Sequence, residues 1–168
     1  RGAEEYRDTI RSCEEAAQKL RRLSDSLLEL ARLDSGREQG RRTDADLADL
    51  AANCLEQLRP LALEREIRIE ADLQPAPFAC HPDQIARVFV NLIGNALEYN
   101  HPGGQIRVAT SAQDGEITAV VSDTGDGISP EDLPHIFDRF YRASQARTRS
   151  AEHAGLGLAI CKAIVEAH

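Results

Sequence analysis

Asp123-Thr124-Gly125-Asp126-Gly127-Ile128 is the stretch whose reading decides the fold. An apolar run, Ile117 to Ser122, leads into it, so Asp123 closes a strand. Two glycines follow with one residue between them. A carboxylate so placed accepts a hydrogen bond from an exocyclic amine, and the glycines let backbone approach a flat ligand closely. Adenine offers an amine where guanine offers a carbonyl, so a fixed acceptor here chooses between them. A strand ending in Asp-Gly is also how many hairpins close, and alone the run leaves both readings open.

Upstream, Ile106 to Thr110 is a second strand, joined to the first around Asp114-Gly115, a good hairpin signal. Before it, Asp83 to Asn100 has helical periodicity, with Ile85, Val88, Phe89, Leu92, Ile93 and Ala96 on the buried face. Ile67 to Leu73 alternates strictly and predicts a strand, broken by Pro75 and Pro77. A helix begins at about Asp46, with Leu47, Leu50, Ala51, Cys54, Leu58 and Leu61 on one face, and Pro60 should kink or shorten it. Downstream, Pro130 to Phe137 reads as a short helix and Ala143 to Ala154 as a loop. Gly155 opens a last helix. Strands and helices mix, which predicts a layer of sheet under a layer of helices.

Residues 5–34 form one long helical pattern. Ile10, Cys13, Ala17, Leu20, Leu27 and Ala31 make one stripe, and Ala16, Leu20, Leu23, Leu27 and Leu30 a second beside it. So wide a stripe suits a four-helix bundle, whose other helices must come from upstream sequence, a second copy, or both. A helix packing only on its own domain is the alternative. Ser35 to Arg42, with two glycines and four charges, reads as a hinge.

The 168 residues suffice for one domain plus an appendage. No apolar stretch approaches the ~20 residues that cross a bilayer. There is no Met, so the chain is expected to begin inside a longer protein. A net charge of −8 argues against nucleic acid or an anionic membrane as the main partner. Against that background Arg139, Arg142, Arg147 and Arg149 form a basic island without an acid, suited to a local anion or simply to solvent. Cys13, Cys54, Cys80 and Cys161 form no C-x-x-C pair and read as small hydrophobes in a reducing compartment. The five histidines have no metal-ligand spacing.

Asn91, Asn95 and Tyr99 are four apart and share a face of the third helix, distinct from its apolar one. An amide oxygen suits Mg²⁺, and a ring one turn on can pack against a base. Gly155-Leu156-Gly157-Leu158 opens a helix after the basic loop, where free N–H groups and the helix dipole attract an anion.

Together these residues resemble the ATP-binding domain of bacterial sensor histidine kinases, of the GHKL or Bergerat type. Asn91-Leu92-Ile93-Gly94-Asn95-Ala96 is similar to the family's asparagine box, and the Asp123 run to its first glycine box. Ile136-Phe137-Asp138-Arg139-Phe140-Tyr141-Arg142 is similar to its phenylalanine box, and Gly155-Leu156-Gly157-Leu158-Ala159-Ile160 to its second glycine box. The resemblance implies an α+β fold, a two-layer sandwich of mixed sheet under helices, preceded by one long bundle-type helix. It divides the chain into 1–36, the second helix of a dimerisation and histidine-phosphotransfer domain; 37–42, a linker; and 43–168, an ATP-binding catalytic domain lacking its last two strands, with an unpaired sheet edge.

The implied reaction is transfer of the γ-phosphoryl group of ATP, with Mg²⁺, to a histidine upstream of this chain. Asn95 should hold Mg²⁺, with Asn91 supporting it or the phosphates. Asp123 should accept the adenine amine, Tyr99 lie against the base, and Gly125 and Gly127 line the pocket. Tyr141 should touch nucleotide, and Arg142 should reach the γ-phosphate on closure. Gly155, Leu156, Gly157 and Leu158 should meet the phosphates through backbone amides. The implied partners are a second copy, through the bundle, and a response-regulator receiver domain. A cytoplasmic location follows, with any membrane segment upstream.

Fold relatives that hydrolyse ATP carry a glutamate where Asn91 stands, and an amide cannot take a proton from water. Glu98 stands where the family often has Lys or Arg. At ~4 Å from a phosphate it would cost about 1–4 kcal/mol, unless it points to solvent or Arg139 and Arg147 compensate. Glu152-His153 replace a frequent glycine pair. A catalytically weakened nucleotide-binding or dimerisation module is therefore the competing reading.

Overall fold

The computed structural model describes residues 2–34, 41–143 and 154–168. Helix α1 (Ala3–Asp34) is followed by β1 (Thr43–Asp46), α2 (Leu47–Glu64), β2 (Arg68–Leu73), β3 (Pro77–Cys80), α3 (Pro82–Glu98), β4 (Gln105–Gln113), β5 (Glu116–Asp123) and α4 (Gly157–Ala167). A single 3₁₀ turn, Leu133–His135, stands where the short helix was predicted. The strands form two sheets. β4 lies between β2, to which it is parallel, and β5, to which it is antiparallel; β1 and β3 pair antiparallel. The helices lie over this mixed sheet, as the sequence predicts.

Two strands escape the sequence reading. β1 is four residues, two of them Asp, and β3 begins at Pro77, which had been read as a break. Their pairing is non-local, Thr43 opposite Cys80 and Asp46 opposite Pro77, so no local periodicity announces it. Asp46 joins this small sheet to α2. Its Oδ1 accepts from Ala48 N, capping the helix, and from Ala76 N, both at 2.9 Å. Pro60 does not shorten α2, which runs on to Glu64. Pro60 and Glu56 are both exposed, so the carbonyl that the missing N–H leaves unmatched sits on the water side.

The core lies between α3 and the sheet. Phe89, Ile93, Ala96 and Leu97 of α3 meet Ile106 and Val108 of β4, with Ala51 and Leu55 of α2 and Ile160 and Ile164 of α4 around them. The turn after β4 uses Asp114 (φ 53°) and Gly115 (φ 83°), the left-handed pair that a two-residue hairpin needs. β5 is the outer strand, with Ile117 and Val120 exposed. Helix α1 docks on the domain rather than standing clear of it. Leu30 is 2 % exposed, Leu23 and Leu33 pack beside it, and α1 contacts α4. The outer face of α1, with Tyr6, Ile10, Leu20 and Leu28, stays exposed. Among the described residues no helix is long and apolar enough to cross a membrane.

Candidate nucleotide site

Four segments meet at the C-terminal half of α3. The first is the turn after β5. Asp123 pairs with Ile106 at the end of the ladder, and Thr124 N bonds Gln105 O at 3.1 Å, so the strand's last residue is fixed. Asp123 is exposed, and its Oδ1 accepts from Gly125 N at 2.8 Å. That bond sets the rotamer and leaves the second carboxylate oxygen for another donor. Asp126 N reaches Tyr99 O at 3.1 Å, pinning the turn to the end of α3. A Cβ on Gly125 would overlap Tyr99 O, which is why only glycine serves there. Asn100, His101 and Thr124 add a side-chain network behind the turn: Thr124 Oγ1 accepts from Gln105 N at 2.9 Å and His101 Nε2 lies 3.0 Å from Thr124 O. Sequence reasoning missed these three, because their partners are 5 to 24 positions away.

The second segment is the α3 face itself. Asn91, Asn95 and Tyr99 line it, all half-buried, with Tyr99 as the helix cap. Among the described residues the Asn95 side chain has no hydrogen-bond partner, which leaves its amide oxygen uncommitted. Burial pushes the Tyr99 phenol up; Glu98 pushes the same way and Arg142 opposes it. Glu98 is therefore half-buried beside Tyr99 and not turned out to solvent.

The third and fourth segments hold each other. Phe140 N donates to Gly155 O at 2.9 Å, and Phe140 adopts φ 65°, a left-handed conformation uncommon for an aromatic residue. Gly155 (φ 71°) passes so close that a Cβ would lie 2.6 Å from Tyr141 O. The helix proper starts at Gly157, two residues later than predicted, and Leu156 is its buried cap. Its first intrahelical bond is Ile160 N to Leu156 O, leaving the N–H groups of Gly157, Leu158 and Ala159 at the open end. Asn91 Nδ2 donates to Gly157 O at 3.3 Å and joins this end to α3. Arg142 is half-buried and close enough to act on the Tyr99 phenol. The Tyr141 hydroxyl donates to Asp132 Oδ1 at 2.6 Å, and its ring stacks at 5.3 Å on His135, so Tyr141 faces the 129–138 segment. Gly127 takes φ 71° with open space at its Cβ position. Arg147, Arg149 and Glu152-His153 lie outside the described residues.

Asn91, Asn95, Tyr99, Asp123, Gly125, Arg142, Gly155 and Gly157 thus surround one surface, drawn from parts of the chain up to 66 positions apart. No group of three or more His, Cys, Asp or Glu suited to a metal occurs among the described residues. A neutral amide oxygen beside an open helix N-terminus fits Mg²⁺ held with phosphate oxygens and water, not an all-protein cage.

Residues 80–168 match the model of the family described as histidine kinase-, DNA gyrase B-, and HSP90-like ATPase. The chain belongs to this family of ATP-binding domains. The sensor histidine kinase CusS of Escherichia coli O157:H7 is 33 % identical over 100 % of this chain and 35 % of its own length. The sensor protein SrrB of Staphylococcus aureus is 31 % identical over 98 % of this chain and 28 % of its own. Full-length ShkA, solved in complex with AMPPNP, superposes with a TM-score of 0.80 at 27 % identity, over 97 % of this chain and 34 % of that one. The chain therefore spans about a third of the length of these relatives.

Proposed function

We propose that this chain is the ATP-binding catalytic part of a sensor histidine kinase, and that it directs the γ-phosphoryl group of ATP to a histidine outside residues 1–168. The observation that carries the reading is that the Asp123 turn is bonded to α3 at Tyr99 while the open end of α4 is bonded to the same helix at Asn91, with Asn95 midway between them. Asp123's second oxygen takes the adenine amine while Tyr99 lies against the base. The N–H groups at Gly157 and Leu158 meet phosphate oxygens, and Arg142 turns from Tyr99 toward the γ-phosphate. Asn95, with Asn91 beside it, would hold Mg²⁺, which when bound neutralises phosphate charge. Transfer then rests on positioning and charge neutralisation. Asn91 supports transfer over hydrolysis, since its amide cannot deprotonate water.

On this reading residues 1–36 belong to a dimerisation helix, 37–42 to a linker, and 43–168 to the catalytic domain. The exposed outer face of α1 suits pairing with a second copy, and the phosphate passes on to a receiver domain, in the cytoplasm. The test is incubation with labelled ATP and Mg²⁺. The longer protein that includes the upstream helix should be labelled on histidine, whereas residues 1–168 alone should bind nucleotide and stay unlabelled. Label on residues 1–168, or none on the longer protein, contradicts the proposal.

A further inference from the structure

Arg87 lies outside every motif of the nucleotide site, yet it stands one helical turn before Asn91 on the same side of α3. Helix α1 holds it. Glu29 pairs with Arg87 Nη1, and Arg87 Nη2 donates to Ser26 Oγ at 3.3 Å. Packed against α3 is Cys161 of α4, 4 % exposed, whose Sγ donates to Val88 O at 3.9 Å. Cys161 is one turn beyond Gly157, the residue whose carbonyl Asn91 reaches. A path therefore runs from Glu29 to Arg87, along one turn of α3 to Asn91, and on to Gly157, from α1 to the proposed phosphate edge. Leu30 completes the dock, and α1 touches α4 directly.

The dock is shallow. Among the described residues of α1 Leu30 alone is fully buried, and burial raises the Glu29 carboxyl more than Arg87 lowers it. A cleft of about 960 Å³, lined by Glu29, Arg32 and Arg87 among others, opens beside it. Such a contact can break and re-form without unfolding the domain.

We propose that Arg87 is a positioning residue that couples the docking of α1 to the phosphate edge, so that α1 docking and ATP binding strengthen each other. With Arg87 held from α1, Asn91 and the start of α4 are aligned before nucleotide arrives, and less order is lost on binding. The adenine side is held by its own backbone bonds and is not on this path. Linkage then requires that nucleotide tighten the dock by the same factor. The inference rests on the nucleotide-site reading above.

The test is calorimetric titration of residues 1–168 with ATP·Mg²⁺ and, separately, with adenosine, together with amide exchange over residues 23–33. Arg87→Ala, and on α1 alone Glu29→Ala and Leu30→Ala, should weaken ATP roughly three- to tenfold and leave adenosine unchanged. ATP should slow exchange in residues 23–33 of the wild type and not of Arg87→Ala. The α1 substitutions leave the catalytic domain's own residues intact, so a folding defect of Arg87→Ala does not blur the result. Unchanged ATP affinity in the α1 variants, or equal losses for ATP and adenosine, overturns the coupling. Asp123→Asn is the companion control: if it leaves both ligands unaffected, the site reading itself fails, whatever Arg87 does.

Discussion

The proposed adenine and phosphate halves of the site are built differently. Around Asp123 the restraints are backbone bonds within a tight turn: Gly125 N to Asp123, Asp126 N to Tyr99 O, Thr124 N to Gln105 O. Around Gly157 they are a single backbone bond, Phe140 N to Gly155 O, one amide at 3.3 Å, a strained Phe140, and a helix leaning on α1. A carboxylate clamped by the ladder's end offers the same acceptor whatever the rest of the chain does. An N-terminus tied by a side chain of α3, at the head of a helix that α1 touches, answers to both. On the proposed reading base selection is therefore local, while the grip on phosphate is open to adjustment from a distance.

The largest effect should fall on both halves together. Phe89 is 2 % exposed beneath the helix they share. Phe89→Ala should cost about 3–5 kcal/mol in urea unfolding and weaken adenosine and ATP alike; selective loss of one would mean the halves do not share a foundation. Next come two glycines that separate them. Gly125→Ala drives a methyl into Tyr99 O and Gly155→Ala into the Phe140–Tyr141 backbone, each costing about 1–3 kcal/mol. Titration should show the first abolishing adenosine binding and the second sparing it while ATP weakens.

Charge distinguishes the halves more gently. Glu98→Lys should tighten ATP by about 1 kcal/mol or more and leave adenosine alone, because Glu98 and Arg142 both act on the Tyr99 phenol at the end of α3 where the proposed site lies. Equal ATP affinity would place Glu98 out of reach of the phosphates. The smallest effect concerns Cys161. Burial holds its thiol up at about 11, against 9.0 for a free one. The folded chain keeps a proton that the unfolded chain gives up, so this contribution is whole below about pH 9 and is lost as pH rises through about 11. At neutral pH a thiol reagent should label exposed Cys13 quickly and Cys54, Cys80 and Cys161 slowly. ATP should slow Cys161 further, and adenosine should not.

The same contrast explains what was legible in the sequence. α3, β4 and β5 carry strong local periods, and the Asp114-Gly115 turn and the two glycine motifs announce themselves by residue type. β1 and β3 do not, because four-residue strands with Asp and Pro acquire meaning only by pairing 31 to 37 positions apart. Gly155 was read as the helix start, whereas its left-handed φ makes it the approach to the helix. Tyr141 lies within a recognisable motif, yet its hydroxyl goes to Asp132, a partner that spacing does not reveal. Arg87 was invisible for a related reason. It belongs to a polar side of α3 with no period of its own, and its partners lie on α1, 58 to 61 positions before it.

The central claim is that Asp123 selects adenine in an ATP site. Titration of wild type and Asp123→Asn with ATP·Mg²⁺ tests it directly. Turning an acceptor into a partial donor against the adenine amine should cost about 1–3 kcal/mol of affinity, with the β5 ladder and the unfolding curve unchanged. Equal affinity in the two proteins would contradict the account.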